Sequence, residues 1–196
     1  MRELTYYVAV SIDGYIASPD GAFDAFPVEG DHMAALMDDY ADTIPAHIAS
    51  ALGIVSDHSR FDTVLMGWNT YAVGLEQGVD SPYPHLRQVV VSSERTVGVD
   101  GIETTNDPVG TVRKLKGEPG TGIWLCGGGA LAGALATEID RLVLKVNPVL
   151  LGAGIPLFGG HYEPQPFRRI TTRAFQSGVV LNEYTRVAQP ATGAPS

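Results

Sequence analysis

Almost every position from residue 4 to residue 12 is apolar and β-prone, the pattern of a strand covered on both faces. Asp13-Gly14 and Pro19-Asp20-Gly21 then supply turn chemistry. From 31 to 44 the period changes: Met33, Leu36, Met37 and Tyr40 recur at helical spacing, and Pro45 closes the run. A weaker helical stretch covers 46–56. Short apolar runs at 63–66, 88–91, 102–104, 122–126 and 141–146 predict further strands. Helices are predicted between them. One follows the turn over 67–74, and one runs to Gly117 with Asn106 or Asp107 as cap and Pro108 in its first turn. Another covers 130–137, directly after the glycines at 127–129. Two strand-like runs, 167–175 and 179–187, joined through Ser177-Gly178, read as an antiparallel pair.

Strands that alternate with helices and then give way to a strand-rich segment predict an α/β fold. The sheet is mostly parallel, with helices on both faces and an antiparallel C-terminal edge. A chain of 196 residues accommodates one such domain, over 1–187, followed by a Pro/Ala/Gly-rich flexible tail over 188–196. Hydrophobic residues at 44% and charged residues at 18% are the balance of a globular protein.

The net charge of −9 argues against a nucleic-acid partner, since phosphate backbones recruit basic patches. Arg168-Arg169 and the cluster Arg113, Lys114 and Lys116 read as solvated faces. A single cysteine, Cys126, precludes an intrachain disulfide, and no Cys or His spacing matches a zinc site, so no metal is expected. The opening residues read as a strand rather than a leader, and no apolar run approaches the ~20 residues of a membrane span. A cytoplasmic protein without a membrane partner is expected.

The chemistry concentrates at strand-to-helix junctions. In Ile123-Trp124-Leu125-Cys126-Gly127-Gly128-Gly129-Ala130-Leu131 an apolar strand meets three glycines and a helix starts at once. Glycines let backbone approach a ligand, and a helix start offers unpaired N–H groups to a phosphate. A tight turn with no ligand is the competing reading. The loose match to the Rossmann pattern fails, because no Asp or Glu occurs between Asp140 and Glu163, where a ribose-binding acid belongs. A second junction is Gly67-Trp68-Asn69-Thr70-Tyr71, and a third is Ser92-Ser93-Glu94-Arg95, beyond another strand end. In an open parallel sheet these ends share one rim, and three such segments suit an extended dinucleotide.

The set Val8-Ala9-Val10-Ser11-Ile12-Asp13-Gly14-Tyr15-Ile16-Ala17, then Val64 to Tyr71, Val91-Ser92-Ser93 and Trp124 to Gly129, resembles the dihydrofolate reductase superfamily in order and spacing. With the later run Asn147-Pro148-Val149-Leu150-Leu151-Gly152-Ala153-Gly154-Ile155-Pro156-Leu157-Phe158, it is similar to the reductase domain of the bifunctional riboflavin-biosynthesis deaminase/reductase and its stand-alone relatives. That resemblance spans roughly residues 3–187. It implies a dihydrofolate-reductase-like fold, NADPH as cofactor and a homodimer.

It also implies that Ala9 and Ile16 hold the nicotinamide, and that Gly67, Asn69 and Thr70 meet the pyrophosphate and adjoining ribose. Ser92 and Ser93 fall near the adenosine ribose and its 2′-phosphate, and Cys126, Gly127, Gly128, Gly129, Ala130 and Leu131 on the pyrophosphate turn. One departure matters: the family carries Arg where this chain has Trp68. An indole can stack on adenine but cannot pair with a phosphate, so NADH is an open alternative, with Arg95 available to supply the charge.

Such a protein transfers hydride to a small heterocycle, pyrimidine- or pterin-like, and needs a proton source. Candidates are Asp13, whose other reading is an Asp-Gly turn, and Asp31, whose other reading is stabilisation of a helix start. Asp38, Asp39 and Asp42 share the region of Asp31. His32, His47, His58, His85 and His161 read as surface or loop residues. The alternative function is a nicotinamide-dinucleotide-binding protein or sensor without turnover.

Overall fold

A computed structural model describes residues 1–187, so the expected tail lies outside the described residues. The strands are β1 Leu4–Ser11, β2 Tyr15–Ala17, β3 Phe61–Gly67, β4 Arg87–Val91 and β5 Ile102–Thr105, followed by β6 Gly122–Gly127, β7 Arg141–Asn147, β8 Ile155–Pro156, β9 Phe167–Ala174 and β10 Val180–Arg186. The helices are α1 Asp31–Asp39, α2 Ala46–Leu52, α3 Trp68–Glu76, α4 Pro108–Gly117 and α5 Gly129–Ala134. Eight strands form one sheet in the order β5-β4-β3-β6-β1-β7-β10-β9. The ladders from β5 to β7 are parallel, and β10 runs antiparallel to both β7 and β9. This is the α/β architecture that the alternation of periods predicts. A two-stranded antiparallel sheet of β2 and β8 has no counterpart in the predicted elements, because two or three residues carry no readable period.

The central strands read as unbroken apolar runs because successive side chains enter two different cores. Val64, Met66 and Trp124 face the core shared with Leu36 and Tyr40 of the α1 segment and Tyr71 of α3. Leu65, Ile123 and Leu125 face the other, against Val112 and Leu115 of α4, Leu131 of α5 and Leu135 just past its end. Among the described residues no helix is long and apolar enough to cross a membrane.

Three departures from the sequence expectations have physical causes. The helix expected over 31–44 stops at Asp39, and a 3₁₀ turn at Ala41–Thr43 follows. On a continuing helix, Asp42 would sit away from the stripe of Leu36 and Tyr40. The break turns it inward, where it is 1% exposed. Its carboxylate accepts hydrogen bonds from Ser56 Oγ (2.5 Å) and from the amides of His58, Arg60 and Phe61 (2.9 Å each), tying the entry of β3 to the end of the α1 segment. The stretch expected over 46–56 ends at Leu52 because Gly53 takes a left-handed conformation, φ 67°. Lys116, expected on a solvated face, is buried, with its Nζ 2.7 Å from Asp140 Oδ2 and donating to the Glu138 carbonyl at 2.6 Å.

Burial raises the affinity of Asp42 for a proton, but its four hydrogen bonds outweigh that, and its pKa lies below the ordinary carboxylate value. A depressed folded-state pKa contributes stability above the unfolded value of about 3.9 that is lost as pH falls through the folded one. Asp42→Ala is expected to cost about 3 kcal/mol at pH 7 by stranding buried amides. Urea unfolding of both proteins should show the gap narrowing as pH falls from 5 toward 2.

Candidate functional site

β3 and β6 are neighbours with Met66 paired to Gly127, yet the chain leaves them toward opposite faces of the sheet. Tyr71 carries α3 into one core and Leu131 carries α5 into the other. Such divergence opens a crevice at the carboxyl ends of the strands. The N-caps of the two helices, Gly67 and Gly128, offer no side-chain cap. The first N–H groups of each helix therefore have no partner within it. A Cβ on Gly67 would lie 3.7 Å from the Gly127 carbonyl oxygen, and Thr70 Oγ1 lies 3.7 and 3.9 Å from where Gly127 and Gly128 would carry theirs. The two junctions face each other, with the Thr70 hydroxyl between them. Gly127 holds φ 143°, and the Gly127–Gly128 peptide is cis.

The glycines do not share one reason. A Cβ on Gly129 would collide with the Pro156 carbonyl, and one on Gly133 with the Gly159 carbonyl. The 155–160 segment lies directly on α5, with the Gly159 amide donating to Gly129 O at 2.8 Å. Gly129 therefore serves packing, whereas a Cβ at Gly127 or Gly128 would meet only Thr70 Oγ1 at contact distance, and Gly127, itself buried, needs glycine for its positive φ. Leu131 is 8% exposed, its side chain committed to the core, while Ala130 is exposed.

From the crevice the rim extends to the end of β4. Ser92 Oγ accepts from the amide of Arg95 at 2.9 Å and so shapes its own turn, leaving Ser93 exposed. The Arg95 guanidinium lies 4.9 Å from the centroid of the Trp68 ring, joining the third junction to the second. The Trp68 Nε1 is buried without a partner, and Asn69 is exposed.

On the other side of the crevice, β1 supplies Ala9 to a pocket of about 260 Å³ floored also by Cys126 and Lys145, with Thr43 and Tyr83 beside it. Cys126 thus turns its thiol into this pocket rather than toward the glycine turn, and burial pushes that thiol up to about 12. Lys145 was not among the expected site residues. Its one signal was a lone cation in the apolar run Leu142-Val143-Leu144-Lys145-Val146. Ile16 is half-buried in β2, whose turn the 147–158 segment braces: the Leu157 amide donates to Gly14 O at 2.9 Å.

Both carboxylates offered as proton donors are committed elsewhere. Asp13 accepts from Ser11 Oγ (2.6 Å) and from the amides of Gly152 (2.7 Å) and Leu151 (3.2 Å), which hold its pKa down at about 2. Asp31 accepts from the amides of Gln176 (2.7 Å) and Ser177 (3.0 Å), which lower its pKa. Each ties two loops together as an anion, and a carboxylate held ionised is a poor donor at neutral pH. Asp39 pairs with Arg173 at 2.6 Å. His32, expected on the surface, is fully buried, with Nδ1 2.9 Å from Ser177 Oγ.

A larger cavity of about 660 Å³ lies at the opposite, amino-terminal end of the strands. Its cations are mostly engaged, Arg2 with Asp62 and Arg141 with Glu3 and Glu183. It shares no residue with the crevice.

Comparison with known proteins identifies the family and the fold. The RibD C-terminal domain family matches residues 2–181. The Bacillus subtilis (strain 168) protein YwjB, of uncharacterised function, is 30% identical over 188 residues, covering 92% of this chain and 97% of its own length. A candidate riboflavin biosynthesis protein from Shewanella sp. PV-4 superposes with a TM-score of 0.70 at 24% identity, over 96% of this chain and 100% of its own. A diaminohydroxyphosphoribosylaminopyrimidine deaminase/5-amino-6-(5-phosphoribosylamino)uracil reductase from Thermotoga maritima superposes with a TM-score of 0.66 at 14% identity. It does so over 95% of this chain and 57% of its own. At these identities the two structures speak for the fold.

The divided roles of the glycines can be measured. Gly129→Ala and Gly133→Ala are expected to lose about 1–3 kcal/mol of unfolding free energy through forced backbone displacement. Gly128→Ala, at φ −98° and with only Thr70 Oγ1 nearby, should stay within about 0.5 kcal/mol of the parent in the same denaturant titration.

Proposed function

This chain belongs to the RibD C-terminal domain family, and from that premise we propose that it is an NADPH-dependent reductase that transfers hydride to a small pyrimidine- or pterin-like heterocycle. The observation that carries the proposal is the pair of uncapped glycine junctions facing each other across the β3–β6 crevice, beside the pocket floored by Ala9. The residues present fit a dinucleotide. A side chain at Gly127 or Gly128 would intrude on the space beside Thr70 Oγ1, and amides of Trp68, Asn69 and Thr70 on one side and Gly129, Ala130 and Leu131 on the other can donate to a pyrophosphate. When bound, the cofactor supplies hydride chemistry.

The rest falls to the protein. Thr70 Oγ1 and Asn69 orient the phosphates and ribose, Ser93 faces the far ribose, and Ala9 and Ile16 border the nicotinamide end. Trp68 cannot replace the family's arginine as a cation, but it holds one: Arg95 over its ring supplies the positive charge for a 2′-phosphate and favours NADPH over NADH. The commitment of Asp13 and Asp31 to backbone amides favours the second reading, a dinucleotide-binding protein or sensor without turnover. β9 closes the sheet order with an open edge, which suits pairing with a second copy. A homodimer is expected, with light scattering after size exclusion giving twice the chain mass.

Calorimetric titration with NADPH and NADH, alongside NADPH oxidation against a panel of pterins, quinones and aminopyrimidines, tests the main proposal. Saturable binding and oxidation with one panel class are expected. Binding without oxidation selects the sensor, and no binding of either dinucleotide at millimolar concentration rejects both. Arg95→Ala should weaken NADPH about tenfold, the loss of one exposed charge-assisted contact, and leave NADH nearly unchanged.

A further inference from the structure

Resting on the reductase reading, we propose that Lys145 is the proton donor of the pocket beside the crevice. The pocket's other polar side chains are Tyr7, Thr43, Tyr83 and Cys126, so among the described residues Lys145 is its one cation. On β7 it pairs in register with Ala9 of β1, and it meets Leu181 of β10 on its other side. Its side chain therefore enters from the strand next to the one that borders the nicotinamide end of the crevice. Among the described residues it forms no ion pair with any Asp or Glu, unlike Lys116, which is held by Asp140. A cation placed in a pocket whose lining holds no carboxylate has no ion pair to account for it, and carries a desolvation cost instead.

The groups facing Lys145 lead to the same assignment. Burial pushes Tyr7 of β1, Tyr83 before β4 and Cys126 of β6 upward, which keeps all three protonated and unwilling to release a proton at neutral pH. His32 on α1 is buried, and burial, then the charge of Lys145, lowers its affinity for a proton, so it stays neutral. Burial lowers the pKa of Lys145 itself, with no opposing anion to restore it. Of these groups, Lys145 alone moves toward the range in which a proton donor works.

The step balances as follows. Hydride from the reduced nicotinamide dinucleotide supplies the electron pair of the new C–H bond on a C=N or C=O carbon. The π pair moves to the heteroatom, which takes a proton from Lys145 Nζ. The lysine is left as a neutral amine and regains its proton from water at the pocket mouth. The substrate class follows: a heterocycle whose reducible bond ends in a basic nitrogen or oxygen.

The chain contains three lysines, Lys114, Lys116 and Lys145, so protein labelled with [13Cε]lysine gives three signals that can be titrated individually. The signal absent from Lys145→Met should titrate below the ordinary lysine value of about 10.4 in the parent protein. With a panel compound that the parent reduces, Lys145→Met should lose about 100-fold or more in kcat while its NADPH dissociation constant stays within twofold. Lys145→Arg keeps the charge but cannot release a proton in the working range, so it should bind NADPH and remain as slow. Parent-like turnover in Lys145→Met overturns the inference and leaves the reductase reading intact. A Lys145 signal titrating at about 10.4 overturns it even if no panel compound is reduced. Failure of the parent to bind NADPH removes the reductase reading and the inference with it.

Discussion

The divergence of β3 and β6 organises everything else. β3 and β6 pair in parallel, and the chain sends the helix that follows one into one core and the helix that follows the other into the opposite core. The cost is a gap in the covering at the strand tips, where backbone amides meet solvent. Glycine at 67, 127 and 128 keeps that gap free of side chains, and neither helix start is capped from within. A phosphate is the natural partner for such amides, and the proposed dinucleotide follows from that unmet requirement.

The gap is held open by parts remote from it. Asp13 fastens the β1–β2 turn to Leu151 and Gly152, and Asp31 fastens the start of α1 to the turn before β10. Asp42 anchors the entry of β3 from below. All three are carboxylates held on backbone amides, an arrangement that stabilises the anion and stiffens loops without using the core. Removing these acids from the list of proton donors leaves the pocket with a single cation to consider, and Lys145 sits on the strand beside Ala9.

The proposed cofactor specificity has the same character of one residue acting through another. Trp68 stands where the resembled family carries arginine, and the sequence offered Arg95 as a replacement for the charge without saying where it would lie. In the fold, Arg95 comes from a different strand end to lie on that indole, so the charge is present although its position in the sequence is not. The ring's attraction for the guanidinium is modest at an exposed site, but it fixes where the cation stands.

The sequence by itself determined what depends on local pattern: the order of strands and helices, the antiparallel end, a cap for α4 at Asn106 or Asp107, of which the structure uses Asp107, and the junctions where backbone is left open. Alternation within a strand and the 3.6-residue period are local, and glycine's freedom belongs to the residue, so they survive without knowledge of neighbours. Tertiary structure decided what depends on distant partners. Gly129 proved to be a packing glycine because Pro156 lies on it, and Asp42 broke a helix because β3 needed an anion at its start. Lys145 became a pocket residue because β1 placed Ala9 beside it. Each of these rests on residues brought together from at least 14 positions apart, as Asp42 and Ser56 are, and a one-dimensional pattern carries no distances of that kind.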